Sequence, residues 1–331
     1  MQRLPRGFII NPSRIVSLSQ ITSMECYANA EGTVARRVLD GITFTVAGGQ
    51  RFALVGEEEF DLKLLTEIIG NIKPYESGQC SLVGLGMMRE KQRILQQVFY
   101  VNQQKRIYPH MQGISYLMFA SRRVHKNAVD RQILWLDRLM AFGLDRLCFT
   151  YVRNMTSAER VLMHILLALD IDAPLLLIDL SHIDMPDQLM DAYALLFQKL
   201  TDELGKTIVF STTDPAFADR CATHAALLVE GKVRKEHTGA LSELYETLDK
   251  RLFTLETRDA TATCAAIEAA FPAMRAQGDA RIGVYGEKAD APEISAVFAV
   301  LEQAGIDVLD YRLSTPSLFE AMKAAGKEAR I

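Results

Sequence analysis

Three short apolar runs constrain this chain more than anything else in it: RFALVG (51–56), PLLLIDL (174–180) and TIVFSTT (207–213). They are too short for helices and too uniformly apolar for strands with one wet face. A strand apolar on both sides is buried on both sides, which is the condition of a parallel sheet covered by helices. The intervening segments supply those helices, DLKLLTEIIGNI (61–72) after the first run and DQLMDAYALLFQKLTDELG (187–205) between the second and third. Strand and helix in alternation predict an α/β core. A further apolar run, AALLVEGKVRKEHTG (225–239), reads as a hairpin turning at Glu230–Gly231.

Around this core the pattern changes twice. RIVSLSQITSMECY (14–27) and RRVLDGITFTVAGGQ (36–50) alternate apolar and polar residues, so a small antiparallel sheet is expected. From about 110 to 170 the spacing is helical, in ISYLMFASRRVH, DRQILWLDRLMAFG and SAERVLMHILLAL. Past residue 250, strand-like and helix-like runs alternate again in a smaller unit. The expected organisation is an extension at 1–13, a first domain at 14–245 with a helical part at about 104–170, and a small C-terminal α/β domain at 250–331.

Composition excludes several classes. Among 331 residues, no apolar run reaches the roughly 18 to 20 needed to span a bilayer. The net charge of −4, with no basic run, gives no basis for nucleic-acid binding. Five cysteines, at 26, 80, 148, 221 and 264, show no CxxC spacing, so neither a zinc site nor a disulfide framework is indicated. A reducing, cytoplasmic compartment is expected, with any membrane association made through a protein partner.

The loop after the first core strand carries the sharpest question. A phosphate-binding loop reads GxxxxGK[ST]; its backbone N–H groups cradle phosphates, its lysine reaches the β/γ-phosphates and its hydroxyl reaches Mg²⁺. In register with Gly56, this chain has Glu57, Glu58, Glu59, Phe60 and Asp61, with Leu62 at the lysine position and Lys63 at the hydroxyl position. Lys63 is one residue late, which turns it about 100° around a helix. Each carboxylate about 6 Å from a phosphate charge would cost roughly 3 kcal/mol at an effective dielectric near 20. The helix dipole favours the carboxylates themselves. Two readings stand: Glu57, Glu58 and Glu59 occupy the anion site, or they form a solvated acidic loop.

Other short motifs follow in a telling order. VNQQ places Gln103 after a strand, and MTSAE (155–159) opens a helix. LLLIDL ends in Asp179 and Leu180, and FSTTD (210–214) follows the third core strand. Together with IYPHMQGISYLMFASR (107–122) and TPSLFEAMKAAG (315–326), this layout resembles the nucleotide-binding subunit of ABC transporters over roughly residues 14 to 240, and within that family the ABC-2 export class.

The resemblance implies a P-loop NTPase fold of the ABC type. It would have a RecA-like core, an antiparallel β subdomain and a helical subdomain, here followed by a ferredoxin-like C-terminal domain. It also assigns positions. Leu180 stands where the family has its catalytic glutamate, Thr213 where it has the H-loop histidine, and Pro186 where the D-loop ends in aspartate. A leucine can neither accept a proton nor orient water. Asp179 keeps the Walker B aspartate, as a strand cap or a residual metal ligand; no other metal site is indicated. Thr156, Ser157 and Ala158 occupy the signature motif, which in the family faces ATP held by the opposite subunit. Thr156 with Glu159 also satisfies a capping box. Tyr27 lies at the adenine-stacking position and Gln103 at the Q-loop.

Three functions fit these residues. The first is a catalytically degenerate subunit that binds no nucleotide by its own loop. It would pair with an active ABC ATPase chain around shared Mg-ATP and dock on a transmembrane permease through residues 103–117. The second is a slow ATPase in which Lys63 reaches back to the phosphates. The third is a scaffold protein that reuses the fold.

Overall fold

The computed structural model describes residues 14–29, 32–86, 90–102, 108–246, 251–278, 281–285, 292–313 and 317–329. The expected extension at 1–13 and Gln103 lie outside them, as does the side chain of Tyr27. The chain divides into two compact units, Met1–Leu244 with Ala321–Ile331, and Tyr245–Glu320.

The first unit opens with β1 (Val16–Asn29) and β2 (Gly32–Val46), a long antiparallel pair with register shifts between Leu18 and Met24. The core strand β3 (Arg51–Gly56) leads into helix α1 (Glu59–Ile69). Strands β4 (Ser77–Leu82) and β5 (Leu85–Gly86) return to the first sheet, in the order β2-β1-β4-β5. Helix α2 (Lys91–Gln97) precedes β6 (Val98–Val101). The helical part consists of α3 (Gly113–Ala120), α4 (Ala128–Ala141), α5 (Asp145–Phe149) and α6 (Ser157–Leu166). Then come β7 (Leu175–Asp179), α7 (Asp187–Gln198), β8 (Thr207–Thr212), α8 (Pro215–Cys221), β9 (His224–Leu228), β10 (Thr238–Ala240) and α9 (Leu241–Glu246).

The core sheet has the order β10-β9-β3-β8-β7-β6, and β9, β3, β8, β7 and β6 run parallel. The three apolar runs are therefore its central strands, β3, β8 and β7, and every residue of β7 and β8 is buried. The run AALLVEGKVRKEHTG forms the expected hairpin, with β9 and β10 antiparallel from Thr238↔Ala226 to Ala240↔His224. Its first half, β9, also pairs parallel with β3 from Phe52↔His224 to Gly56↔Leu228. The turn does sit where expected: Glu230 and Gly231 take φ of 50° and 72°, and Val229 and Lys232 exchange backbone hydrogen bonds of 3.0 Å. An apolar strand ending in a tight turn can serve as hairpin arm on one edge and as buried parallel strand on the other, and β9 does both.

The second unit runs β11 (Arg251–Thr257), α10 (Ala260–Ala270), β12 (Arg275–Gln277), β13 (Arg281–Tyr285), α11 (Ile294–Gln303) and β14 (Val308–Leu313). Its sheet, in the order β12-β13-β11-β14, is antiparallel throughout. This βαββαβ succession is the ferredoxin-like arrangement. Its core joins Phe253, Leu255, Ile282 and Val284 to Ile267, Val297 and Leu301 of the two helices. The final helix α12 (Leu318–Ala329) contributes Ala321, Met322 and Ala325, all buried, to the first unit's part of the chain.

Candidate functional site

In a parallel sheet of this kind the loops after the carboxyl ends of the strands form the natural ligand crevice. Here those loops follow β3, β7 and β8, which are adjacent in the sheet.

The loop after β3 is shorter than its sequence suggests. The strand ends at Gly56 and α1 starts at Glu59, so only Glu57 and Glu58 connect them. A GxxxxGK[ST] loop needs a run of free amides to wrap a phosphate. Here the amide of Leu62 already donates to the carbonyl of Glu58 at 3.2 Å, closing the first helical turn. Leu62 itself is fully buried in the core that joins α1 to β1–β5. Its presence also closes the space beside Gly56: a Cβ there would lie 2.9 Å from the Leu228 carbonyl oxygen and 3.4 Å from Leu62 Cδ2. Lys63 is half-buried one position further round the helix. The cradle needed for a triphosphate is thus filled by a leucine and shortened to two residues, and these residues do not fit the group.

The acidic residues do not take the phosphate's place together. Glu57, Glu58 and Glu59 are all exposed, and Glu58, at the helix N-cap, makes no side-chain capping bond. Among the described residues, Glu59 is the one of the three with a side-chain partner. Its Oε2 lies 2.5 Å from Nδ1 of His182, in the loop after β7. His182 is exposed, as a loop residue should be, yet it reaches across the end of β8 to the start of α1. At 57% and 33% side-chain exposure the pair contributes at most about 1 kcal/mol. Its interest is its place, since it joins the first residue of α1 to the loop after β7.

Beneath that pair lies a small buried polar cluster. Asp179 is 5% exposed, and its Oδ1 accepts from the Ser181 amide (3.1 Å), the Ser181 hydroxyl (2.6 Å) and the Ser211 hydroxyl (3.1 Å). Tyr100 on β6 feels the same carboxylate: burial first, then Asp179, pushes its phenol well above the usual range. Asp179 therefore ties the ends of β7 and β8 together. Among the described residues no cluster of three or more His, Cys, Asp or Glu could hold a metal ion. Leu180 is fully buried, and the Thr213 hydroxyl lies 3.5 Å from the Ser181 carbonyl. Pro186, the D-loop aspartate position, is the N-cap of α7.

The start of α6 is differently built. Thr156 caps the helix: its Oγ1 accepts from the Glu159 amide at 3.2 Å, and Glu159 Oε2 accepts from the Thr156 amide at 2.8 Å. Glu159 is 4% exposed, and its other oxygen is held by Arg146. The structure corrects one expectation here, since Ala158 does not face outward. It is 1% exposed, and its carbonyl accepts from the Tyr193 hydroxyl at 2.7 Å. Thr156 remains exposed and Ser157 half-exposed, with the Ser157 hydroxyl accepting from Arg160 at 3.1 Å. The partners of Glu59 and Ala158, His182 and Tyr193, leave no sign in the sequence, since each lies on an element distant in the chain.

With this geometry in place, the solved structures to which the chain is similar can be named. They have the fold of ABC transporter ATP-binding cassettes. One is the cassette MJ0796 as a dimer bound to ADP and Pi, 18% identical, with a TM-score of 0.53, covering 68% of this chain and 98% of that one. Another is cbiO1 from Clostridium perfringens, part of the ABC transporter complex cbiONQ. It is 16% identical with a TM-score of 0.53, covering 71% and 92%. A second dimeric structure of MJ0796 gives 19%, 0.52, 66% and 97%. No family model and no curated sequence matches the chain. The chain thus has the ABC-type P-loop NTPase fold, at identities that speak to the fold alone. Among the described residues no helix is long and apolar enough to cross a membrane.

Proposed function

We propose that this chain is a nucleotide-binding-type subunit of an ABC transporter of the ABC-2 export class that has given up its own ATP turnover. Its role is structural and allosteric. It pairs with an ATPase-competent chain and docks on a transmembrane permease, on the cytoplasmic face of the membrane. The observation that carries this reading is the burial of Leu62 and Leu180 at the two positions where triphosphate binding and general-base catalysis need a cation and a carboxylate.

The heterodimer follows from an asymmetry of repair. The loop after β3 has lost its length as well as its lysine, while the start of α6 keeps an intact capping box and an exposed hydroxyl. In a paired arrangement the second surface completes a site on the other chain, with Thr156 and Ser157 directed to that chain's Mg-ATP by the helix N-terminus. That MJ0796 forms a dimer and cbiO1 belongs to a transporter complex supports a paired, membrane-docked role.

Two measurements test this. Affinity purification from the native membrane is expected to recover an intact ABC ATPase and a polytopic protein. Labelled ATP is expected not to bind the isolated chain at micromolar concentrations. Saturable binding that disappears in Lys63→Ala would replace this reading with a slow ATPase. Purification that brings down neither partner would favour a scaffold.

A further inference from the structure

The net charge of −4 conceals a segregation of charge in the first unit. From Lys91 to Val129 the chain holds seven Lys and Arg and no Asp or Glu, although acids outnumber bases over the whole sequence. The fold brings part of this stretch to one surface. The Pro109 and Met111 carbonyls accept from the Arg153 and Val152 amides at 3.1 and 2.9 Å, which lays the segment before α3 along the segment before α6. The Tyr108 ring meets Phe119 of α3 edge-on at 5.3 Å, and the Arg122 guanidinium lies 3.9 Å over the same Phe119 ring. Beside them Arg153 lies 5.2 Å over the ring of Tyr151.

This surface faces solvent. Tyr108 and Tyr151 are 54% and 41% exposed, and Arg122, Arg123 and Arg153 are exposed as well. Among the described residues none of the three arginines has a hydrogen-bond or ion-pair partner; Arg122 and Arg153 have only their rings. Helix α3 carries no acid, and of the acids on α5 and α6, Glu159 is buried and held by Arg146 while Asp145 lies in the first turn of α5. An arginine laid flat on an aromatic ring keeps its N–H edge free, and that edge fits a phosphate bidentately. Tyrosines set among cations of one sign have the composition of a membrane–water boundary, and clustered Lys and Arg are drawn to an anionic leaflet.

We infer that this surface lies against the anionic headgroups of the membrane itself, with the arginine edges on lipid phosphates and the two tyrosine rings at headgroup depth. The inference rests on the membrane-docked reading for the nearness of a bilayer, and adds a lipid contact to the protein one.

Co-sedimentation of the purified full chain with vesicles tests it, using phosphatidylglycerol mixed with phosphatidylcholine and phosphatidylcholine alone. Binding is expected to the anionic vesicles only, and to fall as salt is raised. At about five-fold per cation, the triple variant Arg122→Gln, Arg123→Gln, Arg153→Gln should bind about a hundred-fold more weakly. A charge-matched variant, Lys199→Gln, Arg220→Gln, Lys235→Gln, removes three exposed cations from other elements and should stay within about two-fold of the parent. No vesicle binding, equal binding to both vesicles, or equal losses in the two variants would each overturn the inference. If the parent binds no vesicle while the arginine variant loses a co-purifying polytopic protein, the surface belongs to a protein partner and the membrane-docked reading stands without this one.

Discussion

Placing a lysine at position 62 should not produce nucleotide binding at the loop after β3. Leu62→Lys restores the residue type that a phosphate-binding loop uses at this position, so a sequence-level argument expects nucleotide binding to recover. The structure predicts the opposite. Leu62 is fully buried among the residues that join α1 to the sheets of the first unit. Removing a buried leucine forfeits about 1.5–3 kcal/mol of apolar burial. The ammonium that replaces it must be buried unpaired, become neutral or force α1 outward, at a further cost of several kcal/mol. A total of about 4 kcal/mol or more is a large part of the 5–15 kcal/mol of a typical domain. At about 2–4 °C per kcal/mol for a domain of this size, the thermal midpoint falls by roughly 8–16 °C. Leu62→Met, which keeps shape and apolarity, should cost under about 1.5 kcal/mol. Differential scanning calorimetry of the three proteins, with labelled-ATP filter binding alongside, reads both quantities. Should the lysine variant melt within about 2 °C of the parent and bind ATP at micromolar levels, the side chain at 62 faces a ligand site. The account of the filled cradle would then be wrong.

Other consequences are simpler to read. Gly56→Ala places a methyl 2.9 Å from the Leu228 carbonyl oxygen, a backbone atom that cannot swing aside. It should lower stability by about 1–3 kcal/mol, and a denaturant midpoint equal to the parent's would contradict the close β3–β9 approach. Burial pushes the thiols of Cys80 and Cys221 up to about 12. In a Cys26→Ser background, native protein should therefore react with a disulfide reagent first at Cys264, which is only half-buried, and at Cys80 and Cys221 only on unfolding. Burial also lowers the pKa of His224, whose ring nitrogens meet the Gln50 amide at 2.9 Å and the Thr223 hydroxyl at 3.0 Å. The unfolded chain then takes up this proton first, so stability is complete above pH 6.5 and declines as pH falls below it. His224→Asn should flatten that acid-side decline, and identical pH profiles would show that His224 does not cause it.

What could be read from the sequence was what depends on local pattern. β3, β7 and β8 announce themselves because strands buried on both faces need no polar residue. The cap at Thr156 announces itself because both of its partners lie within three positions. Loop length does not follow from spacing in the same way. Glu59, Phe60 and Asp61 can serve as loop or as first helical turn, and the burial of Leu62 and Leu65 draws α1 toward the strand. Contacts such as Glu59–His182, 123 residues apart, leave no mark on either segment. The parallel pairing of β9 was missed for a related reason, since its turn is local and visible while its neighbour β3 lies about 170 positions earlier.

The acids at the start of α1 suit a helix end that holds no phosphate. In a phosphate-binding loop the amides at the helix start are held for an anion, and a protein without that ligand leaves them facing water at a positive helix end. Glutamates there stabilise the helix by a few tenths of a kcal/mol each, whatever else they do. Glu57, Glu58 and Glu59 therefore suit an α1 that stands without a phosphate. Leu62 and Leu180, both fully buried, add apolar contact at positions where a lysine and a glutamate would have required a ligand to satisfy them. Each of these residues favours the same frame with nothing bound in it. A protein still selected for binding Mg-ATP at this loop would be expected to keep at least one of them unfavourable in the empty state, as strained functional sites do. Substituting Glu57, Glu58 and Glu59 together by glutamine tests that argument. It should lower the thermal midpoint slightly, by the loss of the helix-end charges, and add no nucleotide affinity. A rise in stability together with new phosphate binding would mean that the acids had been holding a working anion site shut.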